Sequence, residues 1–555
     1  MKKLLTIFLL FVSLTLQATD YYVATAANGG DDGHDGSVGS PWLTVSYACS
    51  QVAAGAHTIH IGVGTFTETA QSVKALGVNI IGAGTTTIIT SAAALNPMIA
   101  ANSAAGNAVN DNSSISYIKF DGNSMTARSA IYANFRSNVK IHHCTFIDFL
   151  YNGVWLDGTV NNSSTTPTNT IPTGNEVYGC TFTNCTQATG NALNGHIRIE
   201  GQSGMLVYGN TFDQTDRAAG DNANIMTGYQ NDGLKIYDNV FTKPDANNGQ
   251  WNFFAEFHYS NGGFELYGNT LNGAACFDYS GSIKGAYSFG GKIHDNVFTT
   301  ATQPSRDTKN QYYLDLESFT YENDVYVYNN HFKNGRGAIH VNNAQISMDN
   351  IWIYYNIIEG TGNTTDSYAV GIKVESNWGG TDPIPITNLH IYNNVINAGI
   401  QSYAGILTSV WDDITNYDIQ NNIITGDFTY AVRFNNDAVA PTVTNLNINN
   451  NVFYVDHTNA IYYAAGIIFT TRDDTGNYVG TDDPLFVGAA DFHLQAGSEC
   501  INKGLDVGLT TDYSGNRKYG TAYDIGAYEW GRRYFQFPDG TKMISTDGKF
   551  IMIEL

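Results

Sequence analysis

One short phrase recurs along this chain and constrains its fold more than any other feature. It reads VYGNTF at residue 207, IYDNVF at 236 and IHDNVF at 293, and eleven copies stand at intervals of 26 to 38 residues. Apolar and polar residues alternate in each copy, which is the pattern of a β-strand with one buried face. One such strand cannot bury its inner face alone, whereas stacked copies bury it together. The repeat therefore predicts a solenoid of stacked β-coils.

The fourth position of the phrase predicts a ladder of side chains. It is Cys144 and Cys180 in the two earliest copies and Asn in the later ones, from Asn210 onwards. When coils stack in register, each Asn amide can donate to one neighbour and accept from the other. This pairing satisfies buried amides that would otherwise cost about 1–3 kcal/mol each. We expect the Asn ladder to begin at Asn210.

A second alternating strand precedes most copies of the phrase. It reads NGVWLDG at 152, GHIRIEG at 195 and VGIKVES at 370. Two alternating strands and a turn in each coil predict a β-helix. The apolar spacing of three and four residues that would indicate helical repeats is absent from the sequence.

From about Tyr21 to Trp530 the chain resembles the pectin-lyase-like superfamily of right-handed parallel β-helices. The opening YYVATAANGGDDGHDG and the closing DPLFVGAADFHLQAGSECINKG resemble the entry and exit segments of its secreted bacterial members. The resemblance implies an all-β fold, a right-handed parallel β-helix with an N-terminal cap, as one domain over residues 19–530. Residues 531–555 follow, and their short alternating stretches around Pro538-Asp539-Gly540 predict a hairpin-like C-terminal β appendage.

The first 18 residues have the order of a secretory signal peptide. Lys2 and Lys3 precede an apolar run that ends at Leu16, and the small residue Ala18 follows. We expect residues 1–18 to be removed and the protein to be secreted or displayed at the cell surface. No segment reaches the roughly 20 apolar residues of a bilayer-spanning helix, so no membrane span is predicted.

The chain is strongly acidic, with 27 basic against 50 acidic residues and a formal net charge of −23. Such a surface repels nucleic acid and anionic lipid. It also repels polyuronates, unless a bound cation or a local basic cleft reverses the field. The motifs of esterases, zinc proteases, nucleotide enzymes and redox enzymes are absent from the sequence, which excludes those classes.

Ionisable residues flank the inward apolar positions of the second strands, and alternation places them outside. If the strands stack as one sheet, they form a column with neighbours about 4.8 Å apart. Aromatic residues in or just after these strands, including Phe254 and Trp378, offer rings that can stack on a sugar. The column holds Trp155, Asp157, Arg198, Glu200, Glu256, His258, Asp315, Glu317, His340, Asn342, Lys373 and Glu375.

Two cleavage chemistries fit this column. Carboxylates in it can be brought within the ~5–9.5 Å that glycoside hydrolysis uses. The resemblance to polysaccharide lyases implies the other, in which Ca²⁺ neutralises a uronate while Lys373, Arg198 or His258 handles the proton. The predicted calcium ligands are Glu200, Glu256, Asp315 and Glu317. The predicted catalytic residues are Glu256, His258, Asp315, Glu317 and Lys373, and the predicted substrate contacts are Trp155, Arg198, His340 and Trp378.

Two other interpretations of the column stay open at the level of sequence. Outward charges keep a sheet soluble, and Lys–Glu or Arg–Glu pairs are common on strand surfaces. A non-catalytic, adhesive β-helix would use the same face to bind glycan or protein, and the chain carries no motif specific to a lyase or a hydrolase. The leading hypothesis is a secreted polysaccharide-active enzyme, lyase or glycosidase, whose partner is an extended glycan.

Overall fold

The computed structural model describes most of the chain. The described residues are 18–103, 106–159, 169–188, 194–213, 222–242, 252–258, 261–273, 276–280, 290–300, 312–317, 324–343, 347–361, 369–376, 385–437, 441–455, 460–480, 483–518, 520–531, 533–536, 542–546 and 549–553.

The repeated phrase contains two strands and not one. In the copy at 207, the strands Leu206–Tyr208 and Thr211–Asp213 are separated by Gly209 and Asn210. Gly209 has a φ of 61°, in the left-handed region that glycine adopts without strain, and the chain bends there. Each coil therefore has three strands, and the expectation of two per coil was wrong. Three-residue strands are too short for alternation alone to reveal the break between them.

Three parallel sheets run the length of the solenoid. The first sheet contains the strand before each bend, and it is formed by Asp20–Val23, Thr58–Ile61, Asn79–Ser91, Val109–Asp121, Arg136–His142, Glu176–Tyr178, Leu206–Tyr208, Lys235–Tyr237, Phe264–Tyr267, Gly291–His294, Val325–Tyr328, Met348–Tyr354, Ile386–Tyr392, Ile414–Gln420, Thr442–Asn449, Ile468–Phe469 and Arg472–Asp473.

The second sheet contains the strand after each bend, and long strands run through two sheets. It is formed by Gly64–Glu68, Asn79–Ser91, Val109–Asp121, Thr145–Ile147, Thr181–Thr183, Thr211–Asp213, Val240–Thr242, Thr270–Asn272, Val297–Thr299, His331–Lys333, Ile357–Thr361, Val395–Val410, Ile423–Asn436, Val452–Val455 and Tyr478–Val479.

The third sheet contains the strands that precede the phrase in the sequence. It is formed by Ser72–Val73, Ile99–Asn102, Ser129–Asn134, Asn152–Asp157, Gly195–Glu200, Asn222–Thr227, Asn252–His258, Cys276–Ser280, Tyr312–Glu317, Gly337–Asn343, Val370–Ser376, Val395–Val410, Ile423–Asn436 and Ile461–Tyr463. The three sheets wind into a right-handed parallel β-helix, which confirms the predicted fold class.

The Asn ladder is present and begins at Asn210, as predicted. Asn210 Nδ2 donates to Asn239 Oδ1 at 3.0 Å and to the carbonyl of Val177 at 3.0 Å. The pattern repeats from coil to coil as far as Asn477, one coil beyond the last copy of the phrase. Every ladder amide therefore holds its own coil to the next through side chain and backbone together.

The inward faces of the three sheets form one continuous core. Phenylalanine rings of the second sheet stack along the axis, with Phe146 and Phe182 centres 4.8 Å apart and Phe182 and Phe212 centres 5.0 Å apart. Ile197 and Ile199 of the third sheet are fully buried in the same core. Burying such side chains contributes about 1.5–3 kcal/mol each, so the stability is spread along the whole solenoid.

The N-terminal end carries the predicted cap. The helix Val45–Gln51 buries Val45, Ala48 and Cys49 in the core, and Thr44 caps it by accepting a hydrogen bond from the Tyr47 N–H. A 3-10 turn covers Ala26–Asn28. None of the helices in the described part of the chain has the length and hydropathy needed to cross a bilayer.

The C-terminal segment folds back onto the outward face of the second sheet. Phe492 and Ile525 pack there against Ile423 and Val452. The side chain of Asn421 donates to the Leu505 carbonyl at 2.9 Å. The remaining elements are the parallel pair Asn231–Asp232 and Asn261–Gly262, the antiparallel pair Phe486–Gly488 and Asp491–Leu494, and a separate antiparallel sheet of Arg533–Gln536, Lys542–Thr546 and Lys549–Ile553.

Candidate functional site

The strand register of the third sheet aligns the predicted site residues at two rows of strand positions. We call the row that contains His340 the central row, and the row two residues further along each strand the adjoining row. The central row is Ala100, Tyr132, Trp155, Arg198, Met226, Glu256, Asp278, Asp315, His340, Lys373, Leu407, Arg433 and Tyr462. The adjoining row includes Asp157, Glu200, His258, Ser280, Glu317, Asn342, Glu375, Ser409 and Asn435.

Not every predicted residue can be placed with its side chain. Trp378 lies outside the described residues, and for His258 and Glu317 only the strand position is described. Seven coil steps separate Trp155 from Lys373 along the central row, which is about 34 Å at the usual strand spacing. The predicted column is therefore too long to be one site, and its described charges fall into two clusters.

The first cluster is a network around His340. The His340 Nε2 atom lies 2.9 Å from Glu375 Oε2, and Lys373 Nζ lies 2.5 Å from Glu375 Oε1. On its other side, His340 Nδ1 lies 3.1 Å from Asp315 Oδ1, close enough for an ion pair but poorly aligned for a hydrogen bond. The Tyr312 ring stacks on the imidazole at 4.5 Å. Two acids and two bases thus share one small area of the outward face.

The cluster is shielded from water although it lies on the outside of the helix. The side chains of His340, Lys373 and Glu375 are 7%, 6% and 10% exposed, and Asp315 is the most accessible at 20%. Burial alone would lower the pKa of His340, but Asp315 and Glu375 outweigh it and raise that pKa above its usual value. Burial alone would raise the pKa of Glu375, but His340 and Lys373 lower it to about 2. The network therefore favours a protonated His340 beside an ionised Glu375.

The second cluster surrounds Glu200. Arg198 donates to both Glu200 oxygens, from Nη2 to Oε1 at 2.9 Å and from Nε to Oε2 at 3.2 Å. The Trp155 indole also donates to Glu200 Oε2, at 3.1 Å. Burial is the largest influence on the Glu200 carboxyl and raises its pKa, although Arg198 opposes the shift. Glu200 therefore orients Arg198 and Trp155 from a buried position.

Trp155 offers an edge to solvent and not an open face. The Arg198 guanidinium lies 4.3 Å from the Trp155 ring centre, and the Tyr132 ring lies 4.5 Å from it. Because Tyr132 and Arg198 belong to the coils on either side of Trp155, they cover both faces of the indole. The Tyr132 hydroxyl in turn donates to Asp157 at 2.9 Å. Stacking of Trp155 on a sugar face would require these neighbours to move.

The predicted calcium ligands do not lie together. Glu200 is four coils from Asp315, which is about 19 Å along the sheet. Each oxygen that binds Ca²⁺ has to lie about 2.3–2.6 Å from the ion, so these two residues cannot bind the same ion. Glu256 is buried and two coils from Asp315. Among the side chains that the structure describes, no group of three or more His, Cys, Asp or Glu could hold a metal ion. The described residues therefore do not fit a calcium site.

Several residues of these clusters did not emerge from the sequence. Tyr312 and Tyr132 contact the two clusters. The sequence also missed Asp278, of which only the strand position is described, in the central row between Glu256 and Asp315. The alternation in residues 276–280 was the available signal for Asp278, but that coil was not recognised. Phe254, predicted to face a sugar, is fully buried in the core against Phe241. The strand is irregular in register beside Phe254, which changes the face that this residue occupies.

Comparison with known proteins adds the following. No protein-family model matches the sequence. No curated protein is similar to it in sequence. Solved structures with a similar fold include the A-module of a mannuronan C-5 epimerase from Azotobacter vinelandii, with 13% identity, 78% of this chain and 93% of that chain covered, and a TM-score of 0.32.

Two further structures show the same kind of likeness. PfbA, a surface adhesin of Streptococcus pneumoniae, has 14% identity over 75% of this chain and 88% of that chain, with a TM-score of 0.41. A pectate lyase has 14% identity over 92% of this chain and 96% of that chain, with a TM-score of 0.32. At such identities the likeness concerns the fold alone, and chemistry has to be argued from the site.

Proposed function

We propose that this protein is a secreted, polysaccharide-active enzyme that breaks glycosidic bonds by proton transfer at Asp315 and His340. One observation carries the proposal. Asp315 Oδ1 and His340 Nδ1 are buried 3.1 Å apart, and neither makes a well-aligned hydrogen bond with any described residue. Their charges attract, but without an aligned hydrogen bond this attraction recovers only part of the cost of burying them. Charged groups on a solvated sheet face are hydrated and do not pay this penalty. Buried charged groups without aligned hydrogen bonds are instead common at active sites.

The arrangement assigns different tasks to the members of the network. Asp315 is the most accessible of its carboxylates and is the group that reaches the substrate. His340, protonated between two acids, exchanges a proton with Asp315 or stabilises its charge. Lys373 and Glu375 hold the imidazole from behind, so they are positioning residues. A pair of this kind can donate a proton to a glycan or take one from it, which is the step that both elimination and hydrolysis use.

The shape of the face suits a long substrate. The third sheet is continuous, and its rows repeat at about 4.8 Å from coil to coil. An extended polymer can follow this axis past the His340 network. Export is part of the proposal because the N-terminal sequence has the order of a secretory signal peptide.

The test is activity on a panel of neutral and acidic polysaccharides, with and without calcium. Ultraviolet absorbance of unsaturated ends reports a lyase, and new reducing ends without that absorbance report a hydrolase. Asp315→Asn should lower turnover at least about 100-fold, the usual contribution of a positioned acid or base, while the melting temperature stays close to that of the wild type. Calcium is included because carboxylates recur along the central row.

The matched control is Glu359→Gln. Glu359 also pairs with a histidine, His331, at 2.7 Å, but on the second sheet. Its substitution should leave turnover unchanged. Full activity of Asp315→Asn would contradict the assignment. If the wild type bound a glycan of the panel and cleaved none of the panel, the cleavage proposal would fail.

A further inference from the structure

Arg433 continues the central row beyond the His340 network. It pairs in register with Leu407, which pairs with Lys373, so Arg433 lies two coils past the network. Two coils correspond to about 10 Å along the axis. A polymer that follows the face past Asp315 would therefore reach Arg433 as well.

Three tyrosine rings hold the Arg433 guanidinium. Its central carbon lies 4.9 Å from the Tyr403 ring centre, 4.5 Å from Tyr430 and 4.7 Å from Tyr462. The Nε atom donates to Asn435 Oδ1 at 2.6 Å. Cation–π contacts of this kind fix the plane of a guanidinium without neutralising its charge. All four side chains of the cage are half-buried, so solvent reaches them.

Arg433 has no carboxylate partner among the described residues. The other cations of the central row each have a carboxylate partner, Arg198 in Glu200, and Lys373 and His340 in Glu375. The chain as a whole carries a formal charge of −23. An unpaired cation in so acidic a protein is a local reversal of the field.

An apolar strip joins the Arg433 cage to the His340 network. Tyr312, which stacks on His340, packs in one outward cluster with Val370 and Leu407. Tyr403 and Tyr430 of the cage pack against the same cluster. Apolar and aromatic surface beside charged groups is the usual composition of a ligand-binding groove. The two sites therefore belong to one continuous stretch of the outward face.

We propose that Arg433 binds an anionic substituent of the glycan, a carboxylate or a sulfate ester, in a subsite of the same groove. The inference rests on the proposed function, because it deepens the choice of substrate class. The guanidinium carries two further N–H-bearing groups beyond Nε, arranged in a fork that matches two oxygens of a planar or tetrahedral anion. An acidic glycan is thus attracted at this point although the protein repels anions elsewhere.

The test is equilibrium binding to the full-length protein at low and high salt. The probes are two matched pairs: oligogalacturonate with its carboxyl-reduced neutral form, and dextran sulfate with dextran. Arg433→Gln should weaken binding of an acidic probe at least about tenfold, the loss expected for a hydrogen bond to a charged group. Binding of the neutral partner should be unchanged, and Arg433→Lys should retain part of the affinity.

The matched control is Arg472→Gln. Arg472 also lies over a tyrosine ring, at 4.3 Å from the centre of Tyr463, but it has a carboxylate partner in Asp474 at 3.5 Å. Its loss should not weaken binding of the acidic probes. A preference for one acidic probe over the other distinguishes carboxylate from sulfate. Equal affinity of the wild type and Arg433→Gln for both acidic probes overturns the inference.

Binding and cleavage are measured separately, so the two proposals can fail independently. Binding that depends on Arg433, without cleavage of any polymer, supports the anionic subsite and contradicts the enzyme. Cleavage that requires Asp315 and is indifferent to Arg433 supports the enzyme and contradicts the subsite.

Discussion

The backbone N–H and the side-chain Nδ2 of Asn296 both donate to one atom, Oδ1 of Asn330, at 3.1 and 2.9 Å. Asn330 repeats the pair of bonds towards Asn356, at 3.1 and 3.0 Å. Each side chain therefore closes the bend of its own coil and holds the bend of the next. The ladder links local turn geometry directly to the stacking of the solenoid.

Asn330→Ala should destabilise the fold by about 2–4 kcal/mol. The substitution removes the acceptor of two bonds from Asn296 and the donor to the Ile293 carbonyl, and it leaves these groups buried without partners. Chemical unfolding followed by circular dichroism measures the loss. Asn272→Ala is the control, because Asn272 is an exposed strand residue and its loss should cost less than about 0.5 kcal/mol. Equal stability of the two variants would contradict the role of the ladder.

The sequence predicted the parts of the fold that repeat. The phrase predicted the ladder and its start at Asn210, and alternation predicted the inward Ile197 and Ile199, because identical coils impose the same pattern many times. It did not predict the third strand of each coil. The bend depends on a left-handed residue such as Gly209, and single residues of that kind leave little pattern.

The candidate site was less predictable because its contacts join different coils. Which residue lies above another depends on every intervening coil, and the coil at 276–280 was not recognised. Pairing between His340 and Glu375 crosses 35 positions of sequence. Arg433 escaped notice since its partners, Tyr403 and Tyr462, come from two other coils. Sequence spacing carries no signal for such contacts.

The N-terminal coils contain a buried ion pair. Replacing one of its two partners alone should destabilise the fold strongly. Lys74 Nζ donates to both oxygens of Asp111, at 3.0 and 3.1 Å, and both side chains are fully buried. Lys74→Met should cost about 3–5 kcal/mol, since it leaves the Asp111 charge buried with less compensation. The midpoint of urea unfolding measures the cost.

The double variant Lys74→Met/Asp111→Asn provides the control for this pair. The Asn oxygen can still accept the hydrogen bond from Gly77 N, and the buried carboxylate that lost Lys74 is gone, whereas Arg136, 3.6 Å from Asp111, loses its partner. Part of the lost stability should therefore return. A single variant as stable as the wild type would show that the ion pair contributes nothing.

Arg198→Met should destabilise the protein more at pH 8 than at pH 5. The pKa of the Glu200 carboxyl is already raised by burial, and it rises further without the Arg198 charge. A carboxyl group whose pKa is higher in the folded state than in the unfolded state stabilises the fold while it is protonated. This stabilisation is lost as the pH rises through the folded pKa. Melting temperatures at the two pH values measure the difference.

Two further variants make the Arg198 test specific. Arg198→Met/Glu200→Gln has no Glu200 carboxyl to titrate, so its melting temperature should differ less between the two pH values than that of Arg198→Met. Lys235→Met breaks an accessible pair, Lys235 with Glu265 at 2.6 Å, and should cost at most about 1 kcal/mol at either pH. An Arg198→Met variant with equal loss at both pH values would contradict the burial of an ionised Glu200.

His340→Gln should lose stability relative to the wild type in a limited pH window. The raised pKa of His340 means that its charge stabilises the fold fully below its ordinary value of 6.5, and the contribution disappears as the pH rises through the folded pKa. The pKa of Glu375, lowered to about 2, gives a contribution that is present above 4.5 and disappears as the pH falls. The deficit of the variant should therefore be largest between about pH 4.5 and 6.5.

Melting temperatures of the wild type and His340→Gln from acid to alkaline pH test this window. The difference should be greatest near pH 5–6 and should shrink above pH 6.5, because the wild type alone releases the His340 proton there. His60→Gln is the control, since His60 faces Asp20 at 3.2 Å in an exposed pair and screening by water leaves little to lose. A difference that does not vary with pH would mean that folding leaves the pKa of His340 unchanged, and the proton exchange proposed with Asp315 would lose its physical basis.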